Sequence, residues 1–157
     1  MKNVFGSDEK RINRALNVLN YAEQIQLAEG GNIPIVTASA ILHDIGIHEA
    51  EKKHDSNAGK YQEIEGPPIA ANTLRNYNLE QDTIDIICLI IANHHSTKNI
   101  HINNTVAFKI IWDADWLVNI PDEYPNLKHD KLSEIIYKVF KTEKGRQLAI
   151  TSYLQAF

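Results

Sequence analysis

The feature that most constrains this chain is an apolar pattern that repeats at the period of an α-helix along almost its whole length. In the first predicted helix, the pattern places Ile12, Ala15, Leu16, Leu19 and Ala22 on one side. No segment alternates between apolar and polar residues as a half-buried strand does. The sequence therefore predicts an all-α fold, a compact bundle of about six to eight helices that forms one domain over residues 1–157.

Glycines, prolines and polar clusters divide this pattern into separate helices. Ser7 is placed to cap the first helix, and Gly30-Gly31 is placed to end it. Pro34 lies where proline is favoured, in the first turn of the second helix. Breaks are predicted at Gly66-Pro67-Pro68 and at Gly145. The predicted helices span residues 7–29, 35–47, 59–77, 79–94, 104–119 (ending before Pro121) and 129–155, with loops over residues 49–58 and 96–103.

Composition indicates a water-soluble protein without covalent crosslinks. Hydrophobic residues make up 43% of the 157 residues and charged residues 23%, which are ordinary values for a globular protein. The single cysteine, Cys88, can form no disulfide within the chain, which suits a reducing cytoplasm. The N-terminus lacks the apolar core of a signal peptide, and no apolar run approaches the roughly 20 residues of a membrane span. We expect a cytoplasmic protein with no membrane partner.

The distribution of charge argues against a nucleic-acid-binding protein. The formal net charge is −4, whereas a surface that binds nucleic acid is normally basic. Lysines and arginines are scattered through the sequence and form no basic stripe. The sequence therefore predicts no extended nucleic-acid surface.

The first chemical signal is a polar pair inside the most apolar predicted helix. Residues 35–47 are hydrophobic nearly all round, which indicates a central helix, yet His43 and Asp44 lie within it. A carboxylate buried without a partner is costly, so Asp44 needs a cation or strong donors nearby. A metal meets this need, because it accepts both a carboxylate and a neutral imidazole. The same dipeptide at His54-Asp55 and His129-Asp130 lies in polar surroundings and is predicted to be solvated surface.

A second buried acid is predicted in the helix over residues 104–119. Asp113 continues the stripe of Val106, Ile110 and Leu117, which has the spacing of a core-facing helix side. Asp115 lies about 200° further round the helix, so the two acids cannot face the same point. We therefore assign Asp113 to the site and expect Asp115 to cap, to form a salt bridge or to orient a neighbouring side chain.

Two adjacent histidines, His94 and His95, close an otherwise apolar predicted helix. His94 continues the buried stripe of that helix, whereas His95 lies about 100° away. Considered alone, the pair could be a C-terminal cap, where the helix dipole favours an imidazolium. Alongside the buried His-Asp pair and the buried acid described above, it favours a metal or phosphate site.

Four segments of the chain occur in one particular order. They are residues 38–46 (ASAILHDIG), 61–70 (YQEIEGPPIA), 91–96 (IANHHS) and 112–117 (WDADWL). Together they resemble the HD superfamily, and in particular its small stand-alone hydrolases, over about residues 11–148. Members of this superfamily are typically all-helical, metal-dependent phosphohydrolases, so the resemblance implies that fold and that activity.

The resemblance also implies a ligand set, because the minimal metal site of the family is written H…HD…D. His43 and Asp44 match the central pair, and Asp113 matches the last aspartate. Members with a second metal add downstream ligands, and His94 and His95 match those positions. A mixed imidazole and carboxylate set suits a divalent transition metal, namely Mn, Fe, Ni or Zn.

The chain departs from the family pattern at the first ligand, where Arg14 stands in place of the expected histidine. A guanidinium cannot ligate a metal, but it could pair with one of the acids of the site or bind a phosphate bidentately. A solvated arginine is the plainer alternative. Two further substrate contacts are expected, from Lys60 and from Glu65, which matches a position where histidine is common in the family.

The leading functional prediction is a phosphohydrolase that cleaves a phosphomonoester or a nucleotide through a metal-activated water, with Asp44, His94 and His95 in catalysis. Its expected partner is a small phosphorylated substrate, and a homodimer stays open. Because Arg14 replaces one ligand, the alternative is a non-catalytic module that binds a nucleotide or a partner protein. A di-iron oxygenase is a third candidate, less favoured because such relatives normally keep the first histidine.

Overall fold

The predicted all-helical fold is confirmed in a computed structural model of the chain, which describes residue 6, residues 8–96 and residues 99–155. Within these ranges there is no strand, and eight helices have seven residues or more. A single helical turn and a short π-helical segment complete the secondary structure. The helices are α1 (Glu9–Glu29), α2 (Ile33–Leu42), α3 (Ile47–His54), α4 (Gly59–Leu74), α5 (Gln81–Asn93), α6 (Ile100–Asn103), α7 (Val106–Glu123), α8 (His129–Val139) and α9 (Glu143–Ala149), and the π segment is Ile150–Leu154.

The long helices share one hydrophobic core. α1 packs against α2 and α7, α2 also contacts α5 and α7, and α4 packs along α5. None of the helices in the described ranges is long and apolar enough to cross a lipid bilayer. Burial of apolar side chains between these helices is the main force that stabilises the bundle. The largest fully buried apolar side chains are Phe108, Ile25, Ile45, Ile87, Ile90, Ile91, Ile110, Ile111, Leu117, Ile120 and Ile136.

The first helix lies close to its predicted position. Ser7, the predicted cap, is outside the described residues, and Asp8 is the N-cap, accepting a hydrogen bond from the Arg11 N–H at 3.2 Å. α1 ends before Gly30, whose φ of 83° favours glycine. The buried side of α1 is centred on Val18, so Leu16, predicted in the core stripe, is 46% exposed.

The helix predicted over residues 35–47 is interrupted. α2 ends at Leu42, residues 43–46 form a tight turn, and α3 then crosses most of the stretch predicted as a loop. Within the turn, the N–H groups of Ile45 and Ile47 donate to carbonyls three residues earlier, at 3.0 and 3.1 Å. Apolar spacing continues across this turn, so the sequence pattern does not reveal it. As a consequence, His43 and Asp44 lie at a helix junction.

Two glycines allow the turn to lie directly against α4. A Cβ atom on Gly46 would be 2.6 Å from the Gly66 nitrogen and 2.8 Å from the Gln62 carbonyl oxygen. The break predicted at Gly66-Pro67-Pro68 is wrong, because α4 is continuous through these residues. The prolines remove two backbone donors, but packing along α5 keeps the segment helical, with the Cys88 Sγ 3.5 Å from the Pro67 carbonyl oxygen.

Tertiary packing also shifts the later boundaries. α7 continues through Pro121 to Glu123, four residues beyond the predicted end at residue 119. The C-terminal break falls between Val139 and Glu143, whereas Gly145, the predicted break, lies inside α9. The predicted loop over residues 96–103 contains the single turn α6. Each difference lies at a boundary, where local sequence signals are weakest.

The contact between the turn and α4 predicts the effect of a Gly46→Ala substitution. Gly46 has φ −81° and ψ −5°, which alanine can adopt, so the cost comes from the collision with backbone atoms of α4. We expect the free energy of unfolding to fall by about 1–3 kcal/mol, as in other overpacked sites. Urea denaturation followed by circular dichroism measures this change.

Gly66→Ala is the matched control. Its one short contact would be with a side-chain methyl, the Cγ2 of Ile91 at 2.9 Å, and the nearest backbone atom of the turn would be 3.7 Å away. Alanine also favours a helix over glycine by about 1 kcal/mol. The cost should therefore be clearly smaller than at Gly46, and equal or reversed costs would contradict the packing described here.

Candidate metal centre

Polar side chains from three parts of the fold meet at the carboxylate of Asp44. Its Oδ2 lies 3.1 Å from His43 Nε2, and its Oδ1 lies 3.3 Å from His94 Nε2. His95 Nε2 is 4.0 Å from the same Oδ1. Asp115 contributes its Oδ1, 3.4 Å from His43 Nε2. The two oxygens of Asp44 thus face two different sets of neighbours.

These side chains form two overlapping groups with the chemistry of metal ligands. In the described ranges of the chain, His43, Asp44 and Asp115 bring ligand-type atoms within 4.8 Å of one another. Asp44, His94 and His95 do the same. Both groups combine imidazole with carboxylate, a combination that suits divalent transition metals. Asp44 belongs to both groups and is therefore their common ligand.

Backbone carbonyls orient the two buried histidines. His43 Nδ1 lies 2.7 Å from the Ala40 oxygen, and His94 Nδ1 lies 2.6 Å from the Ile91 oxygen. A carbonyl only accepts, so each Nδ1 must carry the proton that it donates. In the neutral ring, the lone pair is then on Nε2 and is directed at Asp44. Metal-binding histidines are commonly held in this way by a hydrogen bond from the other ring nitrogen.

Two buried atoms of the cluster have no hydrogen bond. His43 Nε2 and Asp115 Oδ1 are shielded from solvent, and no described residue bonds to either of them in hydrogen-bond geometry, although the two atoms are only 3.4 Å apart. Both atoms lie within ion-pair distance of a partner, since His43 Nε2 is also 3.1 Å from Asp44 Oδ2, but neither makes a hydrogen bond of good geometry. A cation bound by both atoms and by Asp44 would satisfy them, so the residues fit a metal.

Arg14 reaches the same cluster from α1. Its Nε lies 3.6 Å from Asp44 Oδ2, and its terminal nitrogens lie 3.9 Å from Asp115 Oδ1 and 3.9 Å from Asp122 Oδ2. The structure thus places Arg14 beside the candidate ligands, with its side chain 29% exposed. Arg14 is therefore not a solvated surface arginine, which was the plainer alternative.

The cluster forms the floor of an open cleft of about 420 Å³. Basic residues of α1 and acidic residues from the end of α7 both line it. An adjoining pocket of about 160 Å³ lies between His94, His95 and the indoles of Trp112 and Trp116. The residues that line the main cleft include Lys10, Arg11, Arg14, Asp44, Gln62, His95, Asp115, Asn119, Asp122 and Glu123.

A comparison with protein families decides what kind of domain carries this cluster. The family model described as HD domain matches residues 11–140. The chain belongs to the HD domain family. The resemblance stated from the sequence is therefore confirmed. HD domains generally bind divalent metals, which agrees with the two ligand groups around Asp44.

The fold of this HD domain is also similar to a solved structure. That structure is described as a predicted HD superfamily hydrolase from an uncultured Thermotogales bacterium. The two chains superpose with a TM-score of 0.67 at 18% sequence identity, and the match covers 99% of this chain and 86% of that one. No curated protein matches the sequence. At this identity the likeness establishes the fold.

Burial and neighbouring charges shift the pKa values of His43 and Asp44 in opposite directions. Burial alone lowers the pKa of His43, but the charges of Asp44 and Asp115 outweigh it and raise that pKa well above its usual value. Burial alone raises the pKa of Asp44, but contacts with His43 and His94 hold it well below the usual range. Burial and the charge of His94 lower the pKa of His95 to about 4, so His95 is neutral at pH 7.

Asp113, predicted as a ligand, is not part of this cluster. Its Oδ1 accepts a hydrogen bond from the Lys141 N–H at 2.8 Å, and its Oδ2 accepts from the Thr142 N–H at 2.7 Å and from the Thr142 hydroxyl at 2.6 Å. Both acids of α7 are buried because this helix is covered on opposite sides. The apolar stripe identified one covered side, and the site lies on the other, at Asp115.

The two predicted substrate contacts on α4 also lie elsewhere. Glu65 accepts hydrogen bonds from Lys53 at 3.1 Å and from His54 at 3.0 Å. The Lys60 Nζ lies over the Tyr61 ring, 4.7 Å from its centroid, and lines a separate surface pocket. Neither residue lines the main cleft. The predicted role of Glu65 came from a family position, whereas Lys60 was predicted as a cation that offsets the charge of the phosphate.

The α4 residue that does reach the cleft is Gln62, which the sequence analysis missed. Its Oε1 lies 3.2 Å from His95 Nε2, and its side-chain nitrogen donates to the Asn57 carbonyl oxygen at 2.5 Å. Gln62 and Gly66 are both buried and are one helical turn apart. The spacing of Gln62 and Gly66, four residues apart and so on one side of a helix, is the sequence signal that could have pointed to Gln62.

The contacts of Asp113 predict a structural role for this residue. An amide cannot accept all three hydrogen bonds from Lys141 and Thr142, because its NH₂ group would face a donor. We expect Asp113→Asn to lower the free energy of unfolding by about 1–3 kcal/mol while metal binding persists. Urea denaturation and metal titration measure the two effects, with the exposed Asp130→Asn as the control. Loss of metal with unchanged stability would contradict this role.

The effect of Asp113→Asn should also depend on pH. Burial raises the pKa of Asp113 to about 6, against the hydrogen bonds from Thr142 and Lys141 that lower it. Since the unfolded value is about 3.9, this group binds its proton more tightly in the folded protein, and its contribution to stability falls as pH rises from about 4 to about 6. Only the wild type loses stability in this way, so the cost of the substitution should shrink over that interval. A constant cost would show that the pKa is not raised.

Proposed function

We propose that this HD domain is a metal-dependent phosphohydrolase that acts on a small phosphomonoester or nucleotide. The observation that carries the proposal is the pair of unsatisfied buried atoms, His43 Nε2 and Asp115 Oδ1, beside Asp44 at the floor of an open cleft. A cluster with only a structural role would satisfy its polar atoms internally. This cluster instead has spare ligand atoms next to a cavity large enough for a small substrate.

Asp44 would hold a divalent cation together with His43 and Asp115. His94 and His95, which lie near the other carboxylate oxygen of Asp44, offer further ligand atoms. The ligand types suit Mn, Fe, Ni or Zn and do not select among them. When bound, such a cation polarises a phosphoryl oxygen and lowers the pKa of a bound water towards neutrality.

The surrounding side chains keep this arrangement in place. His94 donates its Nδ1 proton to the Ile91 carbonyl and keeps Nε2 towards Asp44. The amide nitrogen of Gln62 donates to the Asn57 carbonyl, so the amide oxygen faces His95 Nε2 at 3.2 Å and can accept the proton of that nitrogen whenever His95 does not ligate a cation. A neutral His95 adds no positive charge to the cluster. These contacts orient the candidate catalytic histidines before a substrate binds.

The adjoining pocket supports a nucleotide as one candidate substrate. Trp112 and Trp116 line this pocket on the side of the cluster that carries His94 and His95. Indole rings offer broad apolar surfaces on which a planar group can stack. A phosphate bound to a cation at Asp44 would thus have room beside it for an aromatic ring. A substrate without an aromatic ring would leave the adjoining pocket filled with water.

Asp44→Ala tests the proposal. We expect divalent metal binding to be lost and hydrolysis of a generic phosphomonoester to fall by more than the roughly 10–100-fold that follows loss of a residue that only supports a ligand. The control is Asp130→Ala, because Asp130 also follows a histidine but its side chain is fully exposed. Circular dichroism checks that both variants fold. Wild-type activity in Asp44→Ala would place the chemistry elsewhere.

The second candidate function is a non-catalytic binding module, and the position of Arg14 favours it. The guanidinium lies 3.6 Å from Asp44 and 3.9 Å from Asp115, so it offsets part of their charge without a metal. Elemental analysis separates the two functions. Stoichiometric transition metal in the purified protein supports the enzyme, whereas none after supplementation with metal and phosphate supports the binding module.

A further inference from the structure

We infer that Arg14 couples the binding of a divalent cation to the binding of a phosphoryl anion. Each of the two ligands then binds to the cluster around Asp44 more tightly when the other is present. This inference rests on the proposed function, because it describes how that site receives its metal and its phosphate. It is carried by the position of the guanidinium, by its unused hydrogen-bond donors and by the charges around it.

The guanidinium of Arg14 is close to three acids but is hydrogen-bonded to none of them. Its distances to Asp44, Asp115 and Asp122 are 3.6, 3.9 and 3.9 Å, which are ion-pair separations. No described residue accepts a hydrogen bond from it in good geometry. A guanidinium carries five N–H donors, so donors are available to a ligand in the cleft that it lines.

Arg11, which lines the same cleft, provides the contrast. Its Nη2 donates to Glu51 Oε1 at 3.1 Å, and its Nε lies 3.4 Å from Asp8 Oδ2. The charge of Arg11 is therefore already matched by acids outside the cluster around Asp44. Arg14 has the same chemistry three positions later on α1 but lacks such a hydrogen bond.

A cation bound alone would be disfavoured by Arg14. A charge of +2 held by His43, Asp44 and Asp115 would by itself balance the two carboxylates. The guanidinium would then be an unbalanced positive charge within 4 Å of the same carboxylate oxygens. Like charges at this range repel, and partial burial weakens the screening by salt. Asp122 gives little relief, because its side chain is 79% exposed.

A phosphoryl anion removes this repulsion. Two of its oxygens can accept the parallel N–H groups of a guanidinium, and its negative charge lies between Arg14 and the cation. Each ligand therefore lowers the cost of binding the other. Because coupling of binding free energies is reciprocal, the factor by which phosphate strengthens metal binding equals the factor by which metal strengthens phosphate binding.

Calorimetric titration of the whole chain with Mn²⁺, with and without inorganic phosphate, measures this coupling. After a blank titration corrects for the complex between Mn²⁺ and phosphate, we expect the wild-type Kd for Mn²⁺ to fall at least about tenfold, within the range usual for coupled sites. The reverse titration, phosphate into protein with and without Mn²⁺, should give the same factor.

The same titrations on variants at positions 14 and 11 test whether Arg14 is responsible for the coupling. We expect Arg14→Gln to bind Mn²⁺ alone more tightly than the wild type and to keep a clearly smaller coupling factor, namely the part that comes from direct attraction between the cation and phosphate. Arg14→His should bind Mn²⁺ alone more tightly still, since it removes the repulsion and adds an imidazole. Arg11→Gln is the matched control and should keep the wild-type factor. Circular dichroism confirms that each variant folds.

The outcomes separate this inference from the proposed function. Equal coupling in the wild type and in Arg14→Gln, or no coupling in the wild type, would overturn the inference even if phosphomonoester hydrolysis depends on Asp44. Coupling that depends on Arg14 without any hydrolysis would support the inference and overturn the proposed function. A wild-type protein that binds no Mn²⁺ under either condition would overturn both.

Discussion

The candidate site depends on balancing the charge of one carboxylate, that of Asp44, whose side chain is only 13% exposed. An acid in such a position needs positive charge or hydrogen-bond donors close by. Its neighbours come from separate elements, since Arg14 belongs to α1, His94 follows α5, and His43 precedes Asp44 after α2. The cluster therefore forms only when these helices pack together, and removal of one partner leaves a charge without compensation.

The turn over residues 43–46, which carries Asp44, requires the backbone at Gly46 to lie directly against the backbone of α4. Gly46 lies where any Cβ atom would collide with the backbone of α4 around Gly66. This contact brings Gln62 beside the turn, and Gln62 holds His95 through a hydrogen bond. Backbone packing and the orientation of a candidate catalytic side chain are thus linked through a single helix, α4. In the same way, α7 presents Asp115 to the cluster and Asp113 to the loop before α9.

Sequence reasoning succeeded where one pattern has one physical meaning. The helical period along the chain is compatible with a helical bundle and with little else. Because Asp44 lies in an apolar helix, the sequence predicted that it has charged or hydrogen-bonding partners, and the structure places His43 and His94 beside it. Reasoning failed for Asp113 and Asp115, because an apolar stripe shows which side of a helix is buried but not what covers that side. It also failed at Pro67 and Pro68, where packing along α5 outweighs the loss of two hydrogen bonds.

By itself, the sequence determined the helical class, the need of Asp44 for a counter-charge, and the replacement of an expected histidine by Arg14. The first two follow from residue types and local spacing, which do not change with the environment, and the third follows from the resemblance to the HD superfamily. Only the tertiary structure decided which acid of α7 joins the cluster, that Gln62 takes the place expected of Lys60 and Glu65 beside the cleft, and that Arg14 lies within 4 Å of Asp44 and Asp115. Those facts depend on how helices far apart in sequence are rotated against one another, and local spacing carries no information about that rotation.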